Sequence, residues 1–135
     1  MLTELLKEGI GEKEHFNCAE KMLQAANISY NLGLDDETLK LATGFGGGMD
    51  IEATCGALTA SVMVLGKLFV KDRINEYTKI RILTREFLED FKREMGTIDC
   101  ALLKEKYFSK ELICGEIINK AAEILDRIVK RESGI

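Results

Sequence analysis

The chain has no proline and no tryptophan, and only one histidine, His15. Without proline, nothing in the backbone forbids helix at any point along the 135 residues, which suits helices joined by short turns. With one histidine there is no Ser-His-Asp arrangement, so Thr59 and Ser61 have no support as hydrolytic nucleophiles. A surplus of positive charge is missing too: 19 basic residues stand against 23 acidic ones, a net charge of −4. That argues against nucleic acid as a partner and against an anionic membrane surface. The longest uncharged stretch, Ala53 to Gly66, is too short to span a bilayer and reads as a buried helix, so the protein is not expected to be membrane-embedded. The opening MLTELLKEGIGEKEHF alternates charged and apolar residues without a signal-peptide h-region, and a cytoplasmic location is expected.

What is present is the composition of one soluble domain spanning 1–135, with 46% hydrophobic and 31% charged residues. The apolar residues recur at helical spacing. Leu2 to Lys7 reads as a short first helix. Asn17 can cap a second, ending near Leu32 at Gly33. Asp35 or Asp36 opens a third that stops at Gly44. A fourth runs from about Thr54 to Val70. Tyr77, Ile80, Leu83, Phe87, Phe91 and Met95 follow at steps of three or four and define a fifth, closed by Gly96. Thr97 or Asp99 caps a sixth, Cys100 to Tyr107. Ser109 opens a seventh, with Ile117, Ala121, Ile124 and Ile128 on one face and Ile118, Leu125 and Val129 beside them. The expected fold is all-α, a compact bundle of six to seven helices.

Two features stand out from that pattern. One is the run Gly44-Phe45-Gly46-Gly47-Gly48-Met49, the least helical part of the chain. It leads into the helix carrying Cys55, so its backbone N–H groups, and that of Gly56, could face an anion, a sulfur cluster or a thiolate. No Gly-Lys-Ser/Thr follows it, so it is not a P-loop. Phe45, flanked by glycines, reads as the anchor that pins this loop to the core. The other feature is the set of four cysteines, Cys18, Cys55, Cys100 and Cys114. Each follows a capping residue closely enough to sit near the first turn of a helix, where unpaired N–H groups and the helix dipole favour a thiolate. The gaps of 36, 44 and 13 residues exclude zinc-finger, ferredoxin and thioredoxin spacings, so tertiary structure must gather the sulfurs.

In these residues the sequence resembles the C_GCAxxG_C_C family, small proteins described as redox-active. The matching pieces are Asn17-Cys18-Ala19-Glu20, Gly44 to Met49, Cys55-Gly56-Ala57-Leu58-Thr59-Ala60, Asp99-Cys100 and Cys114. One position departs: the motif ends in glycine, and Ala60 stands there. The resemblance implies a helical domain whose four cysteines act together. The same motif is similar to part of split-Soret-type cytochromes, but the chain has no CxxCH, so c-type haem is not expected.

Two chemistries fit this set. In the first, Cys18, Cys55, Cys100 and Cys114 support reversible dithiol–disulfide exchange with a redox partner of unknown identity and no cofactor. Cys55 is then the most reactive sulfur, exposed and acidified by the flexible loop before it. In the second, the same four cysteines are metal ligands for zinc or an iron–sulfur cluster, and the domain is an electron-transfer module. Gly46, Gly47, Gly48 and Gly56 are the binding candidates in either case. Ala53–Gly66 and the wide stripe of the seventh helix suit a homodimer, and equally a monomer that buries both.

Overall fold

The computed structural model describes residues 1–107 and 115–134. Cys114 and the Ser109 start expected for the seventh helix lie outside that range. The described residues form seven α-helices: α1 (Leu2–Lys7), α2 (Cys18–Ser29), α3 (Asp36–Leu39), α4 (Gly56–Phe69), α5 (Arg73–Met95), α6 (Cys100–Tyr107) and α7 (Gly115–Ser133). A 3-10 segment, Lys40–Phe45, and an irregular turn, Gly48–Glu52, link α3 to α4. No strand occurs among them, and the fold is all-α. None of these helices is long and apolar enough to cross a membrane.

Large side chains fill the core on the α5–α7 side. Leu83, Phe87, Phe91 and Met95 of α5 are buried, as are Ile117, Ala121, Ile124 and Ile128 of α7 with Ile118, Leu125 and Val129. The α5 stripe stops short at its N-terminal end: Ile80 is half-buried and Tyr77 is 57% exposed. Arg131 of α7 grips Glu86 of α5 with two hydrogen bonds of 2.6 and 2.8 Å. The apolar stripe of α7 and the uncharged stretch of α4 are both covered within the chain.

On the other side α2 packs on α4 through small residues. Ala19, Ala25 and Ala26 of α2 and Ala57 and Ala60 of α4 are all fully buried. Asp126 of α7 ties this half to the rest. It accepts hydrogen bonds from the Tyr30 hydroxyl at 2.5 Å and the Leu2 backbone N–H at 3.3 Å.

Helix ends follow local chemistry, with two changes from expectation: α3 stops at Leu39, short of Gly44, and gives way to the 3-10 segment, and α2 also ends early. α2 stops at Ser29, before Leu32, and Asn31 takes the left-handed position expected of Gly33. The Leu32 N–H then donates to the Asn27 carbonyl and the Asn31 N–H to Ile28, closing a Schellman motif. The Asn27 side chain clamps the connection by bonding the N–H and carbonyl of Leu34. Gly96, at φ +92°, ends α5 where expected.

Candidate functional site

The N-termini of α2, α4 and α6 come together on one cleft, and each brings a cysteine. Cys18 is the first residue of α2, Cys55 is the N-cap of α4, and Cys100 is the first residue of α6. The expected helix-terminal placement therefore holds for these three. All three line a cleft of about 710 Å³, which Gly115 at the described start of α7 also borders.

Cys18 is oriented from both sides. Asn17 and Glu20 form a capping box: the Glu20 N–H donates to the Asn17 side chain at 3.0 Å, and the Asn17 N–H donates to the Glu20 carboxylate at 3.1 Å. The same pair then holds the glycine loop. Asn17 Nδ2 donates to the Thr43 carbonyl at 2.9 Å, and the Thr43 hydroxyl donates to Glu20 at 3.2 Å. Gly46 packs so tightly against the Asn17 side chain that no Cβ fits there. The tetrapeptide Asn17-Cys18-Ala19-Glu20 is thus a cap that docks the loop over its own cysteine.

The Cys18 sulfur is half-buried and lies beside Cys55 and Gly56. Backbone N–H groups of Gly47, Ala19 and Gly56 point at it as well. The Cys55 contact is the largest influence, and together these donors outweigh burial and hold the Cys18 thiol down to about 6, from an ordinary 9.0. Cys55 moves the opposite way, because the neighbouring Cys18 thiolate and burial both keep its proton on. The pair is thus polarised, with Cys18 the more acidic thiol and Cys55 the one that keeps its proton.

Gly56 makes this contact geometrically available. A Cβ on it would lie 2.8 Å from the Cys18 sulfur and 2.7 Å from the Phe45 carbonyl oxygen. Phe45 itself packs against the core, as an anchor for the loop should. Thr59 and Ser61 of α4 spend their hydroxyls on the carbonyls of Gly56 and Ala57, so neither is a free nucleophile.

Cys100 arrives by a different route. Residues 53–55 and 98–100 pair briefly: Thr54 and Asp99 form an antiparallel bridge, the Cys55 N–H donates to the Ile98 carbonyl at 3.0 Å, and the Cys100 N–H donates to Ala53 at 2.5 Å. Gly48, at φ +62°, leaves the room this needs, since a Cβ there would sit 2.8 Å from Cys100 Cβ and 2.6 Å from the Ala53 nitrogen. The Cys100 thiol is raised, first by burial and against the pull of Lys104.

Sequence reasoning missed two things here. One is the bridge at Thr54 and Asp99, a single residue pair without strand periodicity. The other is the left-handed turn, where Gly47, Gly48, Met49 and Asp50 all have φ between +60° and +64°. Non-glycine residues in that region cost about 1–2 kcal/mol each, so Met49, Asp50 and Glu52 hold local strain beside the thiols. Met49 is 43% exposed there rather than filling the core. His15, also at positive φ, is exposed and lines the cleft rim. Among the described residues no three His, Cys, Asp or Glu side chains converge as a metal site would require.

The fold and the site define a small all-α domain with three cysteines at converging helix N-termini. The chain belongs to the family described as "Putative redox-active protein (C_GCAxxG_C_C)", which matches residues 16–128. No curated protein and no solved structure matches it.

Proposed function

We propose that the protein is a dithiol–disulfide redox protein whose working pair is Cys18 and Cys55. The observation that carries this reading is the meeting of Cys18 and Cys55 at the N-termini of α2 and α4 on one cleft, with Gly56 leaving the room beside the Cys18 sulfur. A thiolate is the attacking form in exchange, and about nine-tenths of a thiol at 6 is ionised at pH 7. Cys18 is therefore the nucleophile, in place of the Cys55 that the loop alone suggested. Cys18 attacks one sulfur of a disulfide substrate, whose S–S bond breaks as the first thiolate leaves. Cys55 gives up its proton, attacks the Cys18 sulfur of the mixed disulfide, and expels the second thiol. The protein loses two electrons and the substrate gains them; the reverse sequence reduces the protein. Cys100, buried and raised, is a third thiol in the same cleft with no role in these steps. Cys114 belongs to the family's cysteine set, and its part in exchange is proposed only through that membership.

The second reading, a cysteine-ligated zinc or iron–sulfur centre, draws on Cys100 lining the same cleft. Among the described residues three cysteines line that cleft, against the four ligands such a centre commonly uses. Anaerobic purification without chelator, with iron, zinc and free thiols measured together, separates the two readings. The dithiol reading expects no stoichiometric metal and a loss of two thiols on mild oxidation, abolished by Cys18→Ser. Stoichiometric metal with masked thiols would overturn it.

A further inference from the structure

The cleft over the thiol pair has a charge and a shape of its own. Its volume of about 710 Å³ is that of a small-molecule site. Its walls are apolar where Phe16, Leu103 and Ile117 face it. Among the described residues that line it, Lys7, Lys21 and Lys104 stand against a single carboxylate, Glu12, a surplus of two positive charges (3 − 1) in a chain whose net charge is −4. The Lys21 stem lies over Gly11 and Phe16, and Lys104 is close enough to act on Cys100. Among the described residues neither Lys7 nor Lys21 takes part in an ion pair, and Lys104 reaches only Glu52, at 3.9 Å.

We infer that this cleft binds a small disulfide that carries carboxylates, and that Lys7, Lys21 and Lys104 select it. The inference rests on the dithiol reading and names its substrate class. An anionic disulfide is drawn in by the lysines against the protein's overall charge, and the apolar wall seats its carbon framework. The Cys18 thiolate attacks one of its sulfurs, the substrate S–S bond breaks, and one carboxylate-bearing thiolate leaves. Cys55 then attacks Cys18, a second such thiolate leaves, and the Cys55 proton goes to one of the two. One disulfide and two protein sulfurs thus become one protein disulfide and two small thiols.

The test compares two small disulfides, the dianionic dithiobis(nitrobenzoate) and the neutral dithiodipyridine. Rates are measured at low ionic strength and each is divided by its rate with a free reference thiol. The intact protein should favour the dianionic reagent, and the preference should shrink as salt is added. The combined change Lys7→Gln, Lys21→Gln and Lys104→Gln should lower the ratio about tenfold. Lys67→Gln, Lys71→Gln and Lys130→Gln, an equal change of charge outside the cleft, should leave it in place. No preference for the dianion, or an equal fall in both triple variants, would overturn the inference while leaving the dithiol reading standing. Peptide mapping of the product tells the two apart: if neither reagent yields a Cys18–Cys55 disulfide, the dithiol reading itself falls, and this inference with it.

Discussion

Where α5 meets α7, the contacts are between large apolar side chains, Phe87 and Phe91 against Ile124 and Ile128, with ion pairs along the rim. Where α2 meets α4, the buried residues include five alanines and Gly56, and the room Gly56 leaves lies beside Ala19 and the Cys18 sulfur. The first region gains stability from buried area. The second gives up side-chain volume, accepts left-handed residues beside it, and gains a polarised sulfur pair. Mutations should therefore cost stability in one region and chemistry in the other.

The largest expected effect on stability is Phe87→Ala. The side chain is fully buried, and its loss should cost about 3–5 kcal/mol in denaturant melts, while leaving the acidity of Cys18 in the folded fraction unchanged. Two glycines on α4 sharpen the comparison. Gly56→Ala forces a methyl into the Cys18 sulfur and the Phe45 carbonyl, and should cost about 1–3 kcal/mol and disturb the sulfur pair. Gly66→Ala meets nothing within 4 Å and should stabilise the helix by about 0.5–1 kcal/mol. If the two changes behave alike in the same melts, the close-packing account of the site is wrong.

Asn17→Ala removes the capping box and the tie to Thr43, and should cost about 1 kcal/mol. Glu86→Gln breaks a two-bond pair with Arg131 that is largely exposed, and about 0.5 kcal/mol is expected.

The thiol pair also sets a pH dependence. Folded Cys18 has released its proton by about pH 6, whereas the unfolded chain keeps it until near 9.0. Between those values the unfolded state binds more protons, so this group's contribution to stability rises with pH and is lost as pH falls toward 6. In Cys18→Ser that rise should be absent from melts taken across the same range.

Much of the helical frame was legible because its signals are local. The spacing from Leu83 to Met95, the Asn17 cap, and the stop at Gly96 each depend on a few neighbouring residues. The placement of Cys18, Cys55 and Cys100 at helix starts was legible for the same reason. Their meeting was not, because 36 and 44 residues separate them and the contacts that join them are tertiary: the packing of α2 on α4, and one bridge at Thr54 and Asp99. The loop before Cys55 argues for acidity there, whereas the thiol that is lowered is Cys18 and that of Cys55 is raised. The donors in fact converge on Cys18, two of them from Gly47 and Gly56, which lie far along the chain. Met49, Asp50 and Glu52 in left-handed backbone carried no sequence signal, since only glycine advertises that conformation.

The central claim is that Cys18 is the acidic member of the thiol pair. It is tested most directly by the rate of iodoacetamide alkylation at each cysteine against pH, resolved by peptide mass spectrometry. Cys18 should titrate near 6 and react first, with Cys55 slow throughout, and Cys55→Ala should move the Cys18 midpoint up toward 9.0. A Cys18 midpoint already near 9.0 in the intact protein, or Cys55 reacting ahead of it, would contradict the account.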